Sequence, residues 1–256
     1  MVMLPAAQAP DGMRLYAIGD VHGCSDRLAE IHARIGNDLA SRPVTDWRVI
    51  HLGDYVDRGP DSAGVLRMLL DYGADGRAEF LLGNHDAFLI GFLADPAGPV
   101  LDVWIENGGA ETFESFGIDS GLARQARKPA ERERLREVLE SALPSGLARF
   151  LSGVVPMVRH GDYAFVHAGV KPGVPLAEQS VDDLIWIRRR FLDSEADHGA
   201  VIVHGHTPSD RVVVRPNRIG IDTGAVFSGN LTCLVLEGAD RAILGEDGLA
   251  SLPAPD

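Results

Sequence analysis

Leu15-Tyr16-Ala17-Ile18-Gly19-Asp20, Val49-Ile50-His51-Leu52-Gly53-Asp54 and Phe80-Leu81-Leu82-Gly83-Asn84 follow one pattern: a short apolar run closes on glycine, and a polar side chain comes next. Such runs read as buried strands that end in tight turns. Helical spacing fills the gaps between them. Leu28, Ile31, Ile35 and Leu39 recur on one face after Ser25, and Val65, Leu66, Leu69 and Leu70 do so after Asp61, a residue suited to cap a helix N-terminus. The order β-α-β-α-β predicts neighbouring parallel strands whose C-terminal ends share one edge of a sheet. Ligands bind at that edge in open α/β folds, so Asp20, Asp54 and Asn84 are expected to converge.

Downstream the pattern changes. From about residue 95 to 151 the chain is helical in spacing, poor in β-branched residues and, over Ala130 to Glu140, charge-rich, which predicts a helical insertion near the site. Strand-like runs return at 154–159 and 163–167, around the turn His160-Gly161-Asp162, and again at 201–204, 212–214, 218–221 and 231–237. These predict a second, mostly antiparallel sheet packed on the first. The whole, 1–256, reads as a single α/β domain.

Composition narrows the function. With 45% hydrophobic residues the chain can bury a large core, and its formal net charge of −13 argues against an extended contact with a nucleic-acid backbone. Cations are the more natural partners. The two cysteines, Cys24 and Cys233, lack redox or metal spacing and read as free thiols in a reducing compartment. Neither a basic-then-apolar leader nor an apolar run of membrane-spanning length is present, so the expectation is a cytoplasmic protein without a membrane partner.

Six side chains suited to hard divalent cations close predicted strands: Asp20 and His22 in Gly-Asp-Val-His-Gly, Asp54 in Gly-Asp-Tyr-Val-Asp-Arg-Gly, Asn84 in Gly-Asn-His-Asp, His167 in His-Ala-Gly, and His206 in His-Gly-His-Thr. Gly-Asp is common in turns and a single histidine after a strand is ordinarily a packed polar residue. The ordered set is not explained that way. It resembles the phosphoprotein phosphatase family of calcineurin-like metallophosphoesterases, in particular its small bacterial and bacteriophage members. The likeness extends to Trp104-Ile-Glu-Asn-Gly-Gly109, Ile185-Trp-Ile-Arg188 and the segment from Ile221 to Thr232.

That resemblance implies an αββα sandwich of two mixed β-sheets flanked by helices, with a two-metal centre on one rim. It implies that Asp20, His22 and Asp54 hold one ion and that Asp54, Asn84, His167 and His206 hold the other, Asp54 bridging. Three oxygen and three imidazole ligands suit manganese or iron, and also admit zinc. The implied reaction is in-line attack on phosphorus by a metal-bridging hydroxide, with His85 as general acid, Asp57 orienting it, and Arg58 and Arg188 clamping phosphate oxygens. Asp86 stands where many relatives carry glutamate and is not among the implied ligands. His32, His51, His160 and His198 read as packed or exposed histidines; His204, two residues before His206, is a candidate supporting residue.

Three functions compete. The leading one is a phosphatase acting on phosphoserine or phosphothreonine in proteins, with small phosphate esters chemically equivalent. The second is a hydrolase of diadenosine tetraphosphate. The third, a catalytically dead metal-binding scaffold, predicts damage at Asp57, Arg58, His85 or the six ligand positions, and all are intact.

Overall fold

The computed structural model describes residues 2–4 and 6–254; residues 1, 5, 255 and 256 of the span read as one domain lie outside them. Strand β1 (Met13–Ile18), helix α1 (Ser25–Ser41), β2 (Asp46–His51), α2 (Ser62–Tyr72), β3 (Ala78–Phe80) and α3 (Asn84–Ala94) follow in the order expected. Asp61 caps α2, its Oδ1 accepting the Gly64 N–H at 2.8 Å, and Ser25 Oγ donates to its other oxygen. Strand β1 pairs in parallel with β2, and β2 with β3, so their C-terminal ends do share an edge.

The chain is then helical through α4 (Val100–Trp104), a wide turn at Ile105–Gly109, α5 (Ala110–Ser115), α6 (Ser120–Gln125), α7 (Pro129–Ala142) and α8 (Leu147–Gly153). The second sheet comprises β4 (Met157–His160), β5 (Tyr163–Val166), β6 (Val201–His204), β7 (Val213–Arg215) and β8 (Arg218–Gly220), in the order β4-β5-β6-β8-β7. Helices α9 (Val181–Trp186) and α10 (Arg189–Leu192) lie between β5 and β6, and α11 (Ala225–Ser228) follows β8.

Two-residue alternation sorts the layers. Leu15 and Ala17 of β1, with Ile50 and Leu52, face Tyr163, Phe165, Val201, Val203 and Ile219 of the second sheet. Tyr16 and Ile18 turn the other way onto Leu28, Ile31 and Val65 of α1 and α2. On the far face of the second sheet, Ala164, Val166 and Ile202 bury Leu184, Ile185 and Phe191 of α9 and α10. The result is the expected αββα sandwich.

Two sequence expectations need correction. The second sheet is not mostly antiparallel: β5-β6 and β6-β8 are parallel, and only the hairpin pairs β4-β5 and β7-β8 run antiparallel. The connections 167–200 and 205–217 are long enough to return the chain to the same end, which a parallel pairing requires. The run near 231–237 does not join that sheet. As β9 (Cys233–Glu237) it lies antiparallel to β1 in the first, where both of its faces are covered. Strands β10 (Asp240–Gly245) and β11 (Gly248–Ser251), unforeseen, complete the order β11-β10-β9-β1-β2-β3. Strand β11 is the exposed edge strand and β10 beside it is partly buried, and neither has the continuous apolar runs of β1 or β2. Among the described residues no helix is long and apolar enough to cross a membrane.

Candidate dimetal site

The C-terminal ends of β1, β2, β3, β5 and β6 meet where the two sheets face each other. Backbone geometry marks the place. Among the described residues the non-glycine positions with positive φ are His22 (44°), Asp54 (52°), Asp57 (76°), Arg58 (67°) and His206 (65°), all singled out from sequence. Each such conformation costs on the order of 1–3 kcal/mol and persists only where its surroundings impose it. Those surroundings are visible. The Asp54 carbonyl accepts the N–H groups of Val21 and His22, the Arg58 N–H donates to Gly108 O, and the His206 N–H donates to the Asp20 carboxylate at 3.0 Å.

The side chains form two groups that share Asp54: His22, Asp54 and His85, and Asp54, His167 and His206, the candidate ligand atoms of each lying within 4.8 Å of one another. Asp54 Oδ2 is 3.4 Å from Nε2 of both His22 and His167. Asn84 Oδ1 is 3.0 Å from His167 Nε2 and so joins the second group. Asp20 lies beside both groups, close enough to Asp54 and His167 for their charges to act on it. Its carboxylate lies against the His206 backbone, and His85 completes the group around His22.

Tautomers follow from the partners. Nδ1 of His22 is 2.9 Å from Val56 O, and Nδ1 of His167 is 2.9 Å from Leu52 O; a carbonyl only accepts, so each Nδ1 carries the proton and Nε2 faces the site. Arg58 reaches His22 Nε2 at 2.7 Å and His85 Nε2 at 2.8 Å, while Arg188 Nε donates to His206 Nε2 at 3.0 Å. Burial pushes His22 and His206 down to about 3, as a neutral ligand requires. His167 goes the other way. Although burial opposes its charge, Asp54 and Asp20 push it up to about 10. Burial, followed by the charge of Asp222, raises Asp20 well above the usual carboxylate range. The pocket thus holds an excess of carboxylate charge among imidazole donors, and this donor set fits two divalent cations.

Beside it, His85 Nδ1 is 2.7 Å from Asp57 Oδ2, and Trp104 Nε1 and Thr112 Oγ1 both donate to the Asp57 carboxylate. Asp57 is fully buried, and burial raises its pKa against those donors. Trp104 was visible as part of a motif without an assigned task. Asp222, which is buried and accepts the Gly224 N–H, likewise lay in the Ile221 to Thr232 motif without an assigned task, and nothing in the local sequence marked Thr112. Asp86 was set aside from sequence; it is buried and accepts the N–H of Asp54, Tyr55 and Gly83.

The remaining histidines stay apart from the two groups. His204 contacts Arg218 at 3.3 Å, His160 contacts Glu79 at 2.7 Å, and His32 and His51 pair with each other. Cys24 and Cys233 are buried free thiols.

Comparison with known proteins gives these features a context. The chain is 29% identical over 232 residues to serine/threonine-protein phosphatase 1 of Salmonella typhimurium, covering 88% of this chain and 93% of the relative. It is 27% identical to the asymmetrical bis(5'-nucleosyl)-tetraphosphatase PrpE of Bacillus velezensis, covering 84% and 86%. A crystal structure of a putative diadenosine tetraphosphatase superposes with a TM-score of 0.59 at 21% identity, over 92% of this chain and 94% of that one, which speaks to the fold. The profile of the calcineurin-like phosphoesterases matches residues 13–231, and the chain belongs to that family of metal-dependent phosphoesterases.

Proposed function

We propose that this metallophosphoesterase removes phosphate from phosphoserine and phosphothreonine in proteins. The observation that carries the reading is the pair of ligand groups sharing Asp54, with the His85–Asp57 pair at their edge. Asp20, His22 and Asp54 would hold one divalent ion and Asp54, Asn84, His167 and His206 the other; the oxygen and imidazole mixture suits manganese. Bound ions supply an activated water and offset the charge of the phosphate.

The chain supplies the rest. His85 donates a proton to the departing serine or threonine oxygen from Nε2. Asp57, fixed by Trp104 and Thr112, holds the His85 Nδ1 proton and so keeps that nitrogen turned away from substrate. Arg58, with Nη1 and Nη2 between His22 and His85, and Arg188, beside His206, transfer their hydrogen bonds to phosphate oxygens, where charge builds up.

The choice of a phosphoprotein is supported by the end-to-end likeness to the Salmonella protein phosphatase and by charge. At a net charge of −13, with Arg58 and Arg188 as the arginines bonded to the site histidines, the protein is poorly suited to the repeated charges of a dinucleoside tetraphosphate. The PrpE likeness keeps that substrate as the second reading. Metal-stripped protein reconstituted with manganese, offered a phosphothreonine peptide and diadenosine tetraphosphate in parallel, decides between them. Phosphate release from the peptide with little dinucleotide cleavage is the expected result, and the reverse overturns the proposal.

A further inference from the structure

Asp86 lies outside the six proposed ligands, yet its carboxylate joins the two loops that deliver Asp54 and Asn84. Oδ2 accepts the N–H of Asp54 at 2.8 Å and that of Gly83 at 3.0 Å, while Oδ1 accepts the N–H of Tyr55 at 2.9 Å. The link is returned, because the His85 N–H donates to Asp54 Oδ1 at 2.9 Å. The loop after β2 and the loop after β3 are therefore closed into one ring of hydrogen bonds to carboxylate oxygens. Asp86 is 1% exposed, so water cannot replace it in that ring.

The loops also touch directly. A Cβ on Gly53 would lie 2.5 Å from Gly83 N, and one on Gly83 would lie 2.2 Å from Asp54 N. Only paired glycines allow this approach, and Asp86 is the side chain that bonds to both loops across it. The ring pins the Asp54 backbone at φ 52° and leaves its Oδ2 aimed at His22 and His167.

We propose that Asp86 is a positioning residue that sets the separation of the Asp54 carboxylate from the Asn84 amide, and through it the affinity for the ion those two share. The proposal rests on the dimetal reading above. Partners that orient metal ligands without touching the metal are worth roughly 10–100-fold in affinity. In Asp86→Asn one acceptor oxygen becomes an amide NH₂ that faces backbone N–H donors, so the ring opens. Asp86→Glu keeps a carboxylate to accept from the two loops, as in the relatives that carry glutamate there.

The test is calorimetric titration of the metal-stripped full chain with manganese, paired with thermal melts in EDTA to establish that each variant folds. The parent should bind two ions. Asp86→Asn should bind one normally and the other 10–100-fold more weakly, while Asp86→Glu, which keeps a carboxylate, should stay near the parent. A role confined to stability would lower the melting temperature and leave both affinities of the folded protein unchanged; that result overturns the proposal. If Asp86→Asn does not fold, Asp86→Ala decides alone, and two ions bound at parental affinity sink the idea. A parent that fails to bind two ions refutes the dimetal reading instead, a distinct outcome.

Discussion

Strand β1 carries a charge cluster at each end, and the two are balanced in opposite ways. Near its start, Arg14 donates to Asp38 at 3.0 Å and to both oxygens of Glu237, while Arg42 and the Tyr16 hydroxyl also donate to Asp38. Two guanidinium groups face two carboxylates, and the charge closes within the chain. Beyond its other end, Asp20, Asp54, Asp57, Asp86 and Asp222 are buried near Arg58 and Arg188, and the left-handed backbone positions gather there. The first cluster is complete without a ligand. The second holds more carboxylate than the chain's own cations offset, in a strained frame, as expected of a site built to receive cations.

The comparison breaks most sharply at Asp54. Asp54→Asn removes the one charge common to both ligand groups. Metal content after manganese reconstitution should fall together with hydrolysis, activity dropping to background and affinity by at least about 100-fold. A fully active Asp54→Asn protein ends the bridging role. One step down, His85→Asn removes the proposed proton donor and leaves all six proposed ligands in place, so manganese should still bind while kcat falls about 10²–10⁴-fold. Retained turnover, measured on a phosphate ester with a poor leaving group, would reassign the general acid.

How much of this was legible depends on range. Asp20, Asp54 and Asn84 announced themselves because an apolar run, a glycine and a polar residue are adjacent in the chain, and the β-α-β order forces such ends together. Asp86 was passed over because its role arises from three N–H groups on two loops about 30 residues apart. Thr112 and Trp104 reach Asp57 only through the packing of α4 and α5, which no local pattern dictates. The sheet chosen by β9 was equally hidden: an apolar strand shows that it will be buried, not beside which neighbour.

The cluster at the start of β1 supplies the converse experiment. Asp38→Ala leaves Arg42 without the partner it holds at 2.8–2.9 Å and strips Arg14 and Tyr16 of one acceptor each. Breaking a buried pair by removing one member costs about 3–5 kcal/mol. Urea unfolding in EDTA should show a loss of that order, while kcat of the folded enzyme stays at the parental value because no ligand loop is touched. A kcat that falls with stability would mean that the two ends of β1 are coupled and that the contrast drawn between them is false.

The smallest expected effect concerns a third buried polar pair, which belongs to neither end. His32 Nε2 and His51 Nε2 lie 3.0 Å apart, with His32 stacked on Tyr72 and His51 on Phe80. One proton fits between two ring nitrogens at that distance; a second would place two N–H groups face to face. Burial pushes His32 down to about 4 and His51 well below its ordinary value, with the neighbouring ring adding to the effect on His51. The unfolded chain takes up these protons near pH 6.5 and the folded chain does not, so protonation favours unfolding. Stability is therefore whole above about pH 6.5 and declines as the pH falls toward about 4. His32→Gln keeps a hydrogen-bonding group opposite His51 and removes one of the titrating rings. Melts in EDTA at pH 7 and pH 4.5 should show a smaller drop in melting temperature for His32→Gln than for the parent, and equal drops would place the acid sensitivity of the fold elsewhere, with the site carboxylates and histidines the first to be examined.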